Sequence, residues 1–128
     1  MSDPVASTAD LQAARCEPCE GGVPKMSSAA AREQLTALHV DWSVESDGKT
    51  IVRSLNASDF AAAVALLNRI ADLAEAEQHH PDLHLTGYRH LKIELTTHAI
   101  GGLSRNDFVL AAKIDTIIDE SIDAPADA

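Results

Sequence analysis

Apolar and polar positions along the first half of the chain predict a helix followed by a β-hairpin. Residues 29–39 combine high helix propensity with apolar side chains spaced for one helical face. Trp42 and Val44 then alternate with polar neighbours, as in a strand with one buried face, and Asp47-Gly48 is a strong turn signal. We therefore predict a hairpin over residues 40–54.

A long amphipathic helix is predicted next, beginning after a cap at Ser58 and running to about Gln78. Its apolar residues recur in steps of three and four, which gives one stripe facing a sheet. The stripe consists of Phe60, Val64, Leu67, Ile70, and Leu73 or Ala74. We expect these side chains to form part of the core.

A second hairpin and a final helix complete the pattern. Apolar residues alternate from Leu83 to Leu95, with a two-residue turn predicted at Tyr88-Arg89. Residues 104–107 form a variant of the capping box, Ser-Arg-Asn-Asp, at the start of the last helix. The apolar face of that helix should pack beside the long helix, on the same side of the sheet.

This order of elements predicts an α+β fold of two layers, with a four-stranded antiparallel sheet and about three helices packed on one face. The domain is expected over residues 26–122. A flexible or loosely docked arm should precede it over residues 1–25, and a frayed acidic tail should follow over residues 123–128. Edge strands of an open sheet invite pairing between subunits, so we expect the protein to form oligomers.

Composition and charge exclude several classes of protein. Hydrophobic residues make up 45% of the 128 positions, so the chain can bury a core and disorder throughout is excluded. The formal net charge of −10 argues against nucleic acid and against an anionic membrane as partners. No apolar run reaches the length of a membrane helix, and no secretory signal is visible at the N-terminus. A cytoplasmic location is the default expectation.

Both cysteines lie in one short motif, Cys16-Glu17-Pro18-Cys19. A structural zinc site needs four ligands, and the chain has no second pair of cysteines. A redox motif would open a helix, whereas Gly21, Gly22 and Pro24 follow here. The expected state is a reduced, functionally quiet loop, and the alternative is a zinc site shared between subunits.

Three of the six histidines lie in two short segments, His79-His80-Pro81 and Thr96-Thr97-His98. The residue before a proline is forced out of the helical region, so His80 should be extended while His79 belongs to the last helical turn. Continuing the register of the second hairpin places His98 opposite His79 and next to His80. We therefore predict that the three rings share one pocket.

Three interpretations of such a cluster remain open. Histidines titrate near neutrality, so the rings can serve as general acid and base. A catalytic zinc site is less favoured, because adjacent side chains seldom aim at one metal with good geometry. A structural role, with the rings bonded to carboxylates such as Glu75, is the third. Glu75 lies one turn before His79 and can orient that ring, meet a substrate or be solvated.

The spacing of these residues resembles the signature of the pterin-4a-carbinolamine dehydratase family. The signature residues are Glu75, His79, His80, Pro81, Tyr88, His98 and Asp107. Further segments typical of bacterial members are residues 16–22 and residues 96–103, and the resemblance extends through Trp42 and Phe60 to Asp115.

The resemblance implies that the protein converts 4a-hydroxytetrahydropterin to quinonoid dihydropterin and water, without a metal or bound cofactor. His79, His80 and His98 would line the pterin pocket and supply acid and base. Residues expected to contact the substrate around them are Glu75, Gln78, Pro81, Thr96, Thr97 and Ala99. The resemblance also implies a homodimer or homotetramer and a functional link to phenylalanine hydroxylase, whose pterin cofactor would be recycled.

Two positions depart from the pattern of animal members. Leu83 stands where they have an aromatic residue, and Ala99 where they have an acid. Pterin stacking and side-chain contacts should therefore differ. The alternative from another class is a non-catalytic binding or assembly module on the same fold, but the paired histidines that such modules usually lose are present here.

Overall fold

The computed structural model describes residues 5–17 and 23–123, with the backbone alone at residues 122 and 123. The elements in chain order are helix α1 (Thr8–Ala13), helix α2 (Ser28–Gln34), a 3₁₀ turn (Leu35–Ala37), strands β1 (Ser43–Val44) and β2 (Ile51–Asn56), helix α3 (Phe60–Glu77), strands β3 (Asp82–Thr86) and β4 (His90–Leu95), a second 3₁₀ turn (His98–Ile100) and helix α4 (Arg105–Asp123). Among these described helices, none combines the length and apolarity needed to cross a bilayer.

The four strands form one antiparallel sheet in the order β1-β2-β4-β3. Side chains alternate between its faces, so Ile51 and Ile93 are fully buried beneath the helices, whereas Ser54 and Lys92 are exposed on the other side. The predicted α+β fold, with its helices on one face of a four-stranded antiparallel sheet, is confirmed.

The first hairpin is confirmed, although its first strand is short. Ser43 pairs with Val52, and the turn includes Gly48 at a φ of 72°, a conformation that favours glycine. Trp42 is buried at 4% exposure. Its indole Nε1 donates to Asp115 of α4 at 2.7 Å, which connects the start of the hairpin to the last helix.

The second hairpin is present, but the predicted register is wrong by one residue. Thr86 pairs with His90 and Asp82 with Glu94, so the turn comprises residues 87–89 rather than a two-residue turn at Tyr88-Arg89. Gly87 and Tyr88 both have positive φ, at 53° and 55°, and Arg89 is an additional residue in the turn. The ladder between β3 and β4 ends at the pair of Asp82 and Glu94, so it does not place His98 opposite His79.

Helix α3 begins one residue later than predicted, and its buried face only partly matches the predicted stripe: Ile70 and Ala74 are buried, and Leu67 and Leu73 pack against the core. Asp59, not Ser58, is the N-cap, and its carboxylate accepts from Ala62 N–H at 2.7 Å. Phe60 is 55% exposed. The buried positions are Ala63, Leu66, Ile70, Ala74 and Glu77. Helix α3 packs against α4, and its buried Leu66 and Ile70 share one core with Ile51 and Ile93 of the sheet.

Helix α4 packs beside α3 as predicted, and it carries a buried ionic contact. Asp115 Oδ1 lies 2.5 Å from Arg53 Nη1 of β2, and Arg53 is only 3% exposed. The same carboxylate accepts from the backbone N–H of His39 at 2.9 Å. Asp115 therefore joins the sheet, the segment before β1 and α4.

Helix α1 is an element that the hydrophobic pattern did not predict. It packs on α4 and buries Leu11 completely. The side-chain amide of Gln34 also forms a pair of hydrogen bonds with the backbone of Ala6, at 3.0 and 2.8 Å. Residues 5–17 are thus attached to the helical layer, while the predicted division at residue 26 stays a prediction. The tail beyond Asp123 lies outside the described residues.

Candidate functional site

The chain reverses sharply where α3 meets the paired histidines. Helix α3 ends at Glu77, and Gln78 adopts the left-handed conformation with a φ of 56°. The N–H groups of Gln78 and His79 both donate to the carbonyl of Ala74. The prediction that His79 belongs to the last helical turn is therefore wrong, because the left-handed residue turns the chain before it.

His79 is buried against a carboxylate at the start of α4. The His79 ring is 6% exposed, and its Nε2 lies 2.6 Å from Oδ1 of Asp107, which is fully buried. An ionised carboxylate can only accept, so Nε2 carries the proton of this hydrogen bond. The pair fixes the orientation of the ring, and little of the ring surface is open to a ligand.

The second carboxylate oxygen of Asp107 accepts two further hydrogen bonds. Its Oδ2 accepts from the hydroxyl of Thr97 at 2.8 Å and from the backbone N–H of Ser104 at 3.0 Å. The hydroxyls of Thr97 and Ser104 lie 2.7 Å apart, and Ser104 Oγ accepts from the N–H of Asn106. The predicted capping box is thus confirmed, and the same aspartate that closes it also holds His79.

His80 is exposed and hydrogen-bonds to Glu75, the carboxylate that helical spacing places near His79. Its Nε2 lies 2.6 Å from Oε2 of Glu75, whose side chain is also exposed. Glu75 therefore orients His80 rather than His79, because the left-handed turn at Gln78 moves His79 inward and away from the helix surface. The Gln78 amide donates to the carbonyl of Glu75 at 2.6 Å, which also links it to this exposed group.

His98 begins the 3₁₀ turn that follows Thr97, and both His98 and Ala99 are exposed. The turn is closed by hydrogen bonds between the backbones of Thr97 and Gly102. Thr96 supports it from the other side, since its hydroxyl donates to the carbonyl of Lys49 at 2.5 Å. His98 is therefore a surface ring on a well-anchored turn.

The structure joins the two predicted segments through Asp107 rather than through the hairpin register. Asp107 bonds both His79 and Thr97, and His80 and His98 are the exposed chain neighbours of those two residues. Within the described residues, no hydrogen bond joins the three rings to one another, and Pro81 is half-buried beside them. Two cavities of about 430 and 340 Å³ lie near Asn56 at the opposite end of the sheet, and neither is lined by these histidines.

A buried carboxylate adjacent to the site was missed. Glu77 is 8% exposed and accepts from Cys16 N–H at 2.8 Å. Burial alone would raise the pKa of Glu77, but this hydrogen bond and the charges of Lys113 and Arg15 outweigh it and lower the pKa. Its signal in the sequence is an acid at a position that continues the buried stripe through Ile70 and Ala74.

Cys16 is half-buried, and its surroundings disfavour the thiolate. Burial, together with the negative charges of Glu77 and Asp107, raises the pKa of the thiol from 9.0 to about 12. Cys19, the other half of the predicted motif, lies outside the described residues. Across residues 5–17 and 23–123, no group of three histidine, cysteine or acidic side chains is arranged to hold a metal ion.

Comparison with known proteins agrees with the signature. The family model described as pterin 4 alpha carbinolamine dehydratase matches residues 24–117. The chain is 41% identical over 113 residues to pterin-4-alpha-carbinolamine dehydratase 2, mitochondrial, of Arabidopsis thaliana, covering 87% of this chain and 60% of that protein. A relative from Halorhodospira halophila, whose name places it among the same dehydratases, is 41% identical, and the match covers 80% of this chain and 92% of that one.

Two solved structures share the fold. One, described as a transcriptional coactivator/pterin dehydratase from Brucella melitensis, matches with a TM-score of 0.68 and 28% identity over 73% of this chain and 98% of that one. The other is a pterin dehydratase-like protein identified as a RuBisCO assembly factor in the alpha-carboxysome, with a TM-score of 0.52 and 21% identity over 62% of this chain and 90% of that one, a likeness of fold alone. The chain belongs to the pterin-4-alpha-carbinolamine dehydratase family.

Proposed function

We propose that this protein dehydrates 4a-hydroxytetrahydropterin, with His79, His80 and His98 supplying acid and base. Family membership supports this choice of reaction. The buried hydrogen bond between His79 and Asp107 is the observation that supports placing the active site at these histidines. A neutral imidazole accepts a proton at one nitrogen and an imidazolium donates one, so rings of this kind suit a reaction that moves protons in both directions.

The reaction breaks the bond between C4a and its hydroxyl oxygen. One proton is delivered to that oxygen, which leaves as water, and one proton is removed from a ring nitrogen, so that the charge balances. His80 and His98 are exposed and can exchange protons with substrate and solvent. His79 is held in one orientation by its hydrogen bond to Asp107. Glu75, Gln78, Pro81, Thr96, Thr97 and Ala99 are proposed to surround the pterin. Thr97 is fully buried and bonded to Asp107 through its hydroxyl, so its proposed role is to hold the segment that carries His98.

The test is a direct dehydration assay on 4a-hydroxytetrahydropterin, measured against the spontaneous reaction. His98→Gln removes an exposed imidazole and should lower kcat on the order of 10²-fold. His84→Gln is the matched control, because His84 is an exposed histidine of β3 outside the site. A parent protein no faster than the spontaneous reaction would overturn the proposal and favour a non-catalytic binding or assembly module.

Recycling of the phenylalanine hydroxylase cofactor, a cytoplasmic location and a homodimer or homotetramer remain part of the proposal. The oligomer is supported by the sheet, since β1 and β3 are its edges and each has one side without a neighbouring strand among the described residues. Phe60, 55% exposed on α3, is a second apolar surface that association could cover. Light scattering on the purified chain measures the subunit number.

A further inference from the structure

The family match begins at residue 24, yet residues 15–17 are attached to the two helices that carry the site. Cys16 N–H donates to Glu77 Oε1 at 2.8 Å. Glu17 N–H donates to Asn106 Oδ1 at 2.8 Å, and Asn106 Nδ2 donates back to the Glu17 carbonyl at 2.7 Å. We refer to residues 15–17 as the clasp.

The two anchors of the clasp adjoin the buried pair along the chain. Glu77 lies two residues before His79, and Asn106 lies directly before Asp107. Both anchors are themselves buried, at 8% and 2% exposure. The clasp therefore bridges the end of α3 and the start of α4 at the point where the His79–Asp107 hydrogen bond also connects them.

Ionic contacts reinforce the first anchor. Arg15 Nε lies 3.2 Å from Glu77 Oε2, and Lys113 Nζ of α4 lies 3.7 Å from the same oxygen. The guanidinium of Arg15 also donates to the carbonyl of Ala76. Cys16 Sγ lies 3.6 Å from the carbonyl of Asn106, so the clasp contacts both anchors through Cys16 as well.

We propose that the clasp shields the His79–Asp107 pair from water and fixes its geometry, which makes Glu77 and Asn106 positioning residues of the active site. The expected effect on kcat rests on the proposed dehydratase function, whereas the expected effect on exchange of the His79 ring N–H does not. A buried charge-assisted hydrogen bond is strong only while water is kept away from it. An attachment that merely stabilises the fold would not alter the pair in the folded protein.

The chain offers a matched pair of variants for the test. Asn106→Ala removes two hydrogen bonds to the backbone of Glu17, at the site end of the N-terminal segment. Gln34→Ala removes two hydrogen bonds to the backbone of Ala6, at the other end of the same segment. Each variant deletes one side-chain amide that binds the main chain of the N-terminal segment. One amide is on the residue next to Asp107 and the other is in α2.

The main readout is the exchange rate of the His79 ring N–H with water, measured by NMR on protein with ¹⁵N-labelled histidine. We expect exchange at least about tenfold faster in Asn106→Ala and unchanged in Gln34→Ala. In the dehydration assay, kcat should fall by about tenfold in Asn106→Ala while KM stays within twofold, because the pterin contacts are kept and only the ring geometry is loosened.

Equal exchange rates in the parent and Asn106→Ala, or equal acceleration in both variants, would overturn the role of the clasp. If Asn106→Ala does not fold, Glu77→Gln is the variant to measure. It keeps an acceptor for Cys16 N–H but loses the ionic contacts with Arg15 and Lys113. An unchanged exchange rate of the His79 ring N–H in Glu77→Gln would also refute the role of the clasp. A parent without dehydratase activity would refute the proposed function instead, and the exchange rates would still test the clasp.

Discussion

The ring of His79 and the carboxylate of Asp107 form a buried hydrogen bond of 2.6 Å between the end of one helix and the start of another. Asp107 also accepts from Thr97 and Ser104, so its charge is balanced by donors from three segments. A carboxylate fixed by this many donors holds the imidazole in one orientation. The catalytic proposal therefore depends on Asp107 as much as on the histidines.

We expect Asp107→Asn to lower kcat on the order of 10²-fold, because the amide keeps the shape of the carboxylate but loses its charge and turns one donor towards groups that also donate. Steady-state kinetics of dehydration measures the effect. Asp119→Asn, an exposed change on the same helix, is the control and should match the parent. A kcat within threefold of the parent in Asp107→Asn would contradict this role.

Removing the charge of Asp115 should destabilise the fold strongly. Asp115→Asn leaves Arg53, 3% exposed, without its counter-ion, and breaking a buried pair from one side costs about 3–5 kcal/mol. Urea unfolding gives the change in free energy. Glu120→Gln breaks an ion pair of the same 2.5 Å length between exposed side chains, and we expect less than about 1 kcal/mol there. Equal losses of unfolding free energy in Asp115→Asn and Glu120→Gln would show that burial does not make the Arg53–Asp115 pair more important than the exposed one.

The lowered pKa of Glu77 predicts a stability that depends on pH. A carboxyl whose folded pKa lies below its ordinary value of 4.5 stabilises the folded state above pH 4.5, and this contribution disappears as pH falls through the folded pKa. Relative to the parent, Glu77→Gln should cost about 1 kcal/mol at pH 7. The difference should vanish at lower pH, as measured by urea unfolding over a pH series. A difference independent of pH would show that the charge contributes nothing.

The thiol of Cys16 should react slowly in the folded protein. A pKa of about 12 in place of 9.0 lowers the thiolate population at pH 8 on the order of 10³-fold. Alkylation by iodoacetamide, followed by mass spectrometry of the peptide that contains Cys16, should therefore be slow in buffer and rapid in urea. Labelling of Cys16 in buffer at the rate of the unfolded chain would show that its environment is not the one described.

The main elements of the fold follow from local patterns in the sequence, because each amphipathic segment shows its own period. The register of the second hairpin does not, since it depends on the positive φ of Gly87 and Tyr88 and on the additional residue Arg89. Helix α1 is too short for periodicity to reveal it. Its stability depends on docking Leu11 against α4, a contact between segments that are distant in sequence.

In the candidate site, too, local features can be predicted from the sequence and contacts between distant segments cannot. The paired histidines and Pro81 are conspicuous in the sequence, and the capping box at Ser104 is a local signal that the structure confirms. The bond from Asp107 to His79 spans 28 residues, and nothing near either residue predicts it. Of the alternatives for Glu75, orientation of the His79 ring is not observed. Helical spacing cannot reveal the left-handed residue at Gln78, which turns the chain so that Glu75 bonds His80 instead.

The hydrogen bond from Thr96 to the carbonyl of Lys49 gives the first hairpin turn a role beyond connecting two strands. Gly48 lies against α2, where an added Cβ would come within 2.5 Å of Ser28 Oγ, so this turn is held between a helix and the segment that carries His98. An insertion or a bulky replacement at Gly48 would therefore move the surface on which the pterin is proposed to bind. When relatives of this chain are compared, differences in that turn should be examined as possible determinants of substrate choice rather than as neutral loop variation.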